Sequence, residues 1–184
     1  GCGSGGTYAT QKNFITIGCV CPLTGDLASF GEGSLETENA AVEEINQNGG
    51  IYVDFLRWKM KIRFLIADSF SSESGAQEAA RKLIEEDHVD AMICSSGTMT
   101  VCAVAQVCEA NQVPFFSTNA DMDTWLAGGQ YKYCFNAASD VESRMTALYE
   151  VIEKNGCKSV AFLAPDTRQS RVDAAKLMEF CNMQ

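Results

Sequence analysis

Two short stretches carry the residues most able to do chemistry. Ser95-Ser96-Gly97-Thr98 sets three hydroxyls around a glycine, and Ser117-Thr118-Asn119-Ala120-Asp121-Met122-Asp123 sets two carboxylates among hydroxyls and carbonyls. Ser95, Ser96 and Thr98 stand just before an apolar helical segment. The first N–H groups of a helix lack intrahelical partners, and the dipole there is positive. Hydroxyls beside such N–H groups cradle a carboxylate or another small anion. Hydroxyl residues are also the usual helix caps, and on this loop alone capping is the simpler account. The second stretch suits a cation such as an ammonium, with local capping of a short helix as its simpler reading. An anion cradle beside a cation acceptor suits a zwitterion, hence an amino acid, provided the two loops are neighbours in space.

Signatures of catalysis are poor. No G-x-x-x-x-G-K-[ST] phosphate loop occurs, and Gly25, Gly31 and Gly33 do not form G-x-G-x-x-G after a strand. Ser95 lacks the preceding glycine of a G-x-S-x-G elbow. The single histidine, His88, sits in the polar turn Glu85-Glu86-Asp87-His88, and a Ser-His or Cys-His mechanism would have to use it. The chain is therefore expected not to be an enzyme.

Nine cysteines are present. No C-x-x-C occurs and one histidine is too few for the common four-ligand zinc sites, so no metal and no cofactor are expected. Cys102 and Cys108 lie in Val101-Cys102-Ala103-Val104-Ala105-Gln106-Val107-Cys108, where cysteine reads as a small core hydrophobe. Cys19 and Cys21 alternate along a strand and share one face. Pairing among the eight cysteines after the tail is left open. Cys2 stands apart in Gly1-Cys2-Gly3-Ser4-Gly5-Gly6, which resembles the end of a bacterial lipoprotein signal. That resemblance implies a lipid anchor on Cys2, with residues 1–12 as a tether.

Of the 184 residues, 24 are acidic and 14 basic, giving a net charge of -10. Such a balance argues against a nucleic-acid partner and against an anionic membrane surface. A hydrophobic fraction of 46% is enough for a packed core. No apolar run reaches the ~18–20 residues of a spanning helix.

The elements that must hold the two loops follow from periodicity. Strands are predicted at 14–20, 59–67, 89–94 and 113–117, with a short extended piece at 133–135 and a further strand at 159–163. A helix capped by Ser34 is predicted to run to Asn46 and to stop at Asn48-Gly49-Gly50, leaving 24–33 as a loop. Further helices are predicted over 75–86, from 98 to near 111, over 140–154 and over 168–180. Strands alternating with helices of this length make an α/β, doubly wound parallel sheet. Its ligands bind beyond the carboxyl ends of the strands, which is where 21–33, 68–74, 95–98 and 117–123 fall.

Taken together, the pattern Ile17-Gly18 … Pro22-Leu23-Thr24-Gly25 … Phe30-Gly31, then Ala41-Val42-Glu43-Glu44-Ile45-Asn46 … Gly49-Gly50-Ile51, resembles periplasmic binding proteins of the leucine/isoleucine/valine type, in their amino-terminal half. Ala80-Arg81-Lys82-Leu83-Ile84, Val89-Asp90-Ala91, Cys94-Ser95-Ser96 and Val113-Pro114 … Ser117 continue it. The resemblance implies two α/β lobes closing on a solute. Residues 13–138 would be an incomplete first lobe and 139–184 the start of a second. It implies an extracytoplasmic amino-acid-binding component of an ABC importer, whose partner is a membrane permease. A sensory receptor ectodomain is the alternative. By resemblance, Phe30 lines the pocket, Ser95 (with Ser96 beside it) binds the ligand carboxylate, and the Asn119 carbonyl, next to Ala120, accepts from the amine. Asp121 stands where the family usually has threonine, which favours an amine and repels a carboxylate. Asp140 matches an acidic hinge position or simply caps the next helix. Ser170-Arg171 replaces the family's tyrosine-glycine, and Ser71 stands where some members have a cysteine bridged to Cys94.

Overall fold

The structure is a computed structural model that describes residues 13–95, 97–164, 166 and 168–182, of which Arg168 and Gln169 are placed by backbone only. Cys2 and Ser96 lie outside the described residues.

The apolar run Phe14–Cys21 forms strand β1, whose second half is fully buried. It is flanked by two parallel strands, β3 (Trp58–Asp68) on one side and β4 (Ala91–Cys94) on the other. β5 (Phe115–Ser117) and β6 (Cys134–Asn136) extend the parallel sheet beyond β4. A strand absent from the periodicity, β2 (Ile51–Val53), pairs antiparallel on the outer edge of β3. Only three residues long, it is too short to show an alternation. The order β2-β3-β1-β4-β5-β6 reverses direction at β1, so the switch point lies between β1 and β4.

Helices cover both faces. On one, α2 (Glu73–Glu85) and α3 (Thr98–Ala110) present Ala76, Ala80, Leu83, Val101, Val104 and Cys108 to the buried strand residues Val20, Met92, Cys94 and Phe115. Small residues let α2 and α3 approach each other closely. Trp125, from the short helix α4 (Met122–Ala127), closes the end of this core between Phe115 and Tyr131, with ring centroids 6.2 and 4.4 Å away. On the opposite face, α1 (Ala28–Gln47) lies along β1 and β3. There the Cys19 thiol donates to Glu38 (3.1 Å), and the Asn46 amide exchanges two hydrogen bonds with the Ile62 backbone (2.9 and 2.7 Å).

The eight described cysteines are all free thiols, six of them buried. Burial pushes the Cys108 thiol up, and burial with the Glu109 carboxylate pushes Cys134 up to about 12. Hydrogen bonding to Cys21, burial and the Glu38 carboxylate likewise hold Cys19 protonated. These thiols act as core hydrophobes, as expected from the sequence for Cys102 and Cys108.

Two sequence expectations are corrected. The first helix begins at Ala28, not after Ser34, so Gly31 and Gly33 are helical and Ser34 lies within the helix instead of capping it. Its start is fixed from outside: the Leu27 N–H donates to Ser71 Oγ (3.0 Å), and that hydroxyl donates to Thr24 O (2.6 Å). A tertiary anchor thus overrides the local Ser34 signal. Secondly, residues 159–163 form no strand; they are exposed, Leu163 completely. A strand needs a neighbour for its N–H and C=O groups, and among the described residues none lies beside this one. The helices around it, α5 (Val141–Lys154) and α6 (Arg168–Asn182), pack on each other through Tyr149 and Phe180.

Candidate ligand cleft

The loops after β4, β5 and β6 converge on a cleft of about 500 Å³. Its walls include Thr98, Asn119, Asp121, Ser139, Arg144 and Asp173.

The first requirement set by the sequence was that the two chemical loops be neighbours. They are. The Asn119 amide donates to the Ser95 carbonyl, and the Asp121 N–H donates to Thr98 Oγ1 at 3.2 Å. Between them, Gly97 has φ +82° and serves as the N-cap of α3 without any side-chain cap. A Cβ there would also approach Leu27 Cδ1 at 3.0 Å, so the loop after β1 abuts the same place. As a glycine, Gly97 brings no side chain of its own to the start of α3, where the helix dipole is positive. Ser95 Oγ is buried and has no hydrogen-bond partner among the described residues. A buried hydroxyl in that state is costly unless something else completes it.

Asp121 does more than the sequence reading gave it. Its Oδ1 caps α4 by accepting from the Thr124 N–H (3.0 Å) and hydroxyl (3.2 Å). Its Oδ2 meets Arg144 Nη2 at 3.3 Å, and its side chain is only 6% exposed. Arg144, on α5, also reaches Asp173 Oδ1 on α6 (3.0 Å) and the Ser139 carbonyl (2.7 Å). Burial works against the guanidinium charge, but the two carboxylates outweigh it and raise its pKa. Arg144 and Asp173 were missed from sequence, because one charged residue within a polar helix carries no signal of its own. Asn136 was missed too: its amide exchanges hydrogen bonds with the Ala120 backbone (3.3 and 2.8 Å) and fixes the loop after β5.

The remaining expected residues separate. Phe30 is 68% exposed on the first turn of α1 and is not in the cleft wall. Asp140 caps α5 by accepting from the Ser143 N–H at 2.7 Å. That N–H and the Ser143 hydroxyl, helped by Arg144, hold its carboxyl below the ordinary range. Ser71 and Asp68 order the loop after β1, a role that no motif marked. Among the described residues no cluster of His, Cys, Asp and Glu could hold a metal ion, and no helix is long and apolar enough to cross a membrane.

The sequence matches the periplasmic binding protein family over residues 15–180. The chain belongs to this family. As a periplasmic binding protein it is 32% identical over 109 residues to Leu/Ile/Val-binding protein homolog 7 of Brucella abortus, covering 59% of this chain and 26% of that one. An amino acid binding protein of Pseudomonas aeruginosa is 29% identical over 123 residues, covering 65% and 31%. The fold is similar to that of the branched-chain amino acid transporter substrate-binding protein LivJ of Streptococcus pneumoniae in complex with isoleucine (TM-score 0.72, 22% identity, 90% of this chain and 46% of that one). It is also similar to a solute-binding protein of an ABC transporter from Rhodopseudomonas palustris in complex with 3,4-dihydroxybenzoic acid (TM-score 0.73, 21% identity, 94% and 45%). The chain spans about a quarter to a third of the curated relatives and less than half of the solved structures. The doubly wound sheet matches one lobe of this family, whose members are solute-binding proteins rather than enzymes.

Proposed function

We propose that this chain supplies the first wall and the hinge crossing of an extracytoplasmic solute-binding protein of an ABC importer. Its solute is an amino acid or a related small polar molecule, held between two lobes. The observation that carries this reading is the buried Ser95 hydroxyl, without a hydrogen-bond partner among the described residues, at the glycine-led start of α3 and tied by Asn119 to the loop after β5. Ser95 Oγ, at the positive end of the α3 dipole, receives the solute carboxylate, and the Asn119 carbonyl receives its amine. Ser96 and Ala120 flank these contacts in sequence. Phe30, exposed on α1, is available to cover the apolar part of the solute as the lobes close. Asp140 sets the hinge by starting α5. The membrane permease is the partner, and Cys2 is the proposed lipid anchor. No cofactor or metal is needed, because burial of the solute is the whole mechanism.

The test is a thermal-shift screen of the complete two-lobed protein against amino acids, small amides, carboxylates and polyamines, since a ligand of the folded state raises the melting point. A shift with an amino acid or carboxylate is expected, and no shift with any zwitterion or carboxylate would sink the proposal. Ser95→Ala is expected to weaken the responding solute about tenfold, the size of one hydrogen bond to a charged group. Calorimetric titration of both proteins measures it. Unchanged affinity would remove Ser95 from the site.

A further inference from the structure

Asp121 poses an electrostatic difficulty for the reading just given. Its carboxylate is buried, and its own N–H is bonded to Thr98 at the lip of the proposed carboxylate cradle. Standing alone, it would repel the carboxylate of an arriving amino acid, because buried like charges interact across a low dielectric. The structure answers with Arg144. One guanidinium nitrogen lies 3.3 Å from Asp121 and 3.0 Å from Asp173, and the other is pinned by the Ser139 carbonyl just before the hinge residue Asp140. Asp121 lies in the loop after β5, while Arg144 and Asp173 lie on α5 and α6, the helices that the proposed reading gives to the second lobe. The guanidinium therefore meets the Asp121 carboxylate from the opposite side of the cleft.

We propose that Arg144 determines the charge class of the solute: by covering Asp121 it admits a carboxylate-bearing zwitterion, and without it the cleft selects amines. The inference rests on the solute-binding reading and deepens it. Charge bookkeeping at the cleft gives the direction. Arg144 offsets the Asp121 charge at the cleft, which then tolerates a neutral zwitterion. Removing Arg144 takes that cover from the Asp121 carboxylate, which then attracts an ammonium and repels a carboxylate. Arg144 is a positioning residue here, acting through Asp121 and not through the solute. Lysine would serve poorly, since a single ammonium cannot reach two carboxylates and a carbonyl in the fixed fork geometry of guanidinium.

The experiment compares matched pairs differing only by a carboxylate: L-isoleucine with 2-methylbutylamine, and L-lysine with cadaverine. Affinities are measured by calorimetry on the complete protein, the Arg144→Gln variant, and the double variant Arg144→Gln/Asp121→Asn. In Arg144→Gln the ratio of amino-acid to amine affinity is expected to fall at least tenfold. The double variant is expected to restore the ratio, because asparagine still caps α4 but carries no charge. A variant that merely loosened the fold would lose both ligands of a pair together, and the uncharged cap of the double variant would not rescue it. An unchanged ratio in Arg144→Gln, or a fallen ratio that the double variant leaves fallen, overturns the inference while the solute-binding reading stands. A wild-type protein that binds none of the four probes overturns this inference, and the wider screen then decides the solute-binding reading separately.

Discussion

Gly31→Ala is expected to destabilise the protein by about 3 kcal/mol, at the upper end of what one added methyl does in a packed site. A Cβ on Gly31 would lie 2.0 Å from the Pro22 carbonyl oxygen, 2.9 Å from its carbon and 3.1 Å from Cys21 Sγ. Two of those atoms are backbone at the end of β1, so no rotamer change relieves the clash. The helix would have to lift from β1, losing the Cys21 thiol's contact with the Gly31 carbonyl (3.4 Å). Gly33, two residues on in the same helix, makes the control. Nothing lies within 4 Å of a Cβ there. Gly33→Ala is therefore expected to stabilise by about 0.5–1 kcal/mol through helix propensity alone. Urea unfolding of both variants reads the difference. Two shifts of the same sign would mean that α1 is not seated on the Pro22 carbonyl.

The same helix shows what the sequence could and could not reveal. β1, β3, α2, α3 and α5 were legible because each bears an apolar period or a clean cap, as with Asp140 on α5, although the Ser72 cap that starts α2 at Glu73 was not read. The start of α1 was not, because its determinants are Ser71, forty-four residues away, and the close contact at Pro22. Around the candidate cleft, the two loops that hold Ser95, Asn119 and Asp121 were legible as polar loops at one end of a doubly wound sheet, and they are neighbours. What escaped is the pairing of Asp121 with Arg144. That Asp121 faces Arg144 depends on how α5 meets the end of the sheet, and no local pattern encodes that meeting. The 159–163 segment failed for the converse reason: its composition is that of a strand, but the strand's existence depends on a neighbour supplied elsewhere.

Asp68→Ala is expected to cost about 2 kcal/mol and to disorder the loop that leads into α1, the loss corresponding to several hydrogen bonds to a partly exposed charge. At the end of β3, this carboxylate accepts from the N–H groups of Leu23 (2.9 Å), Thr24 (3.3 Å) and Phe70 (2.8 Å) and from the Thr24 hydroxyl (2.7 Å). It thereby staples the loop after β1 to the loop after β3. Burial pushes the Asp68 carboxyl up, but the hydroxyl and the three N–H groups together outweigh it and leave its pKa below the ordinary value. A carboxyl with a lowered folded pKa contributes stability that is fully present above the unfolded value of about 4 and is lost as pH falls through the folded one. Unfolding measured from about pH 7 to about pH 2.5 should therefore show a loss of stability below about pH 4 that is smaller in Asp68→Asn. Leu27, at the end of this loop, touches the Gly97 position. The staple thus bears on the cleft as well as on the fold, and Asp68→Asn should weaken solute binding at neutral pH although Asp68 touches no solute. Equal pH profiles in the two proteins would show that the staple carries no linkage, and its hydrogen bonds would then be only a local feature of the loop.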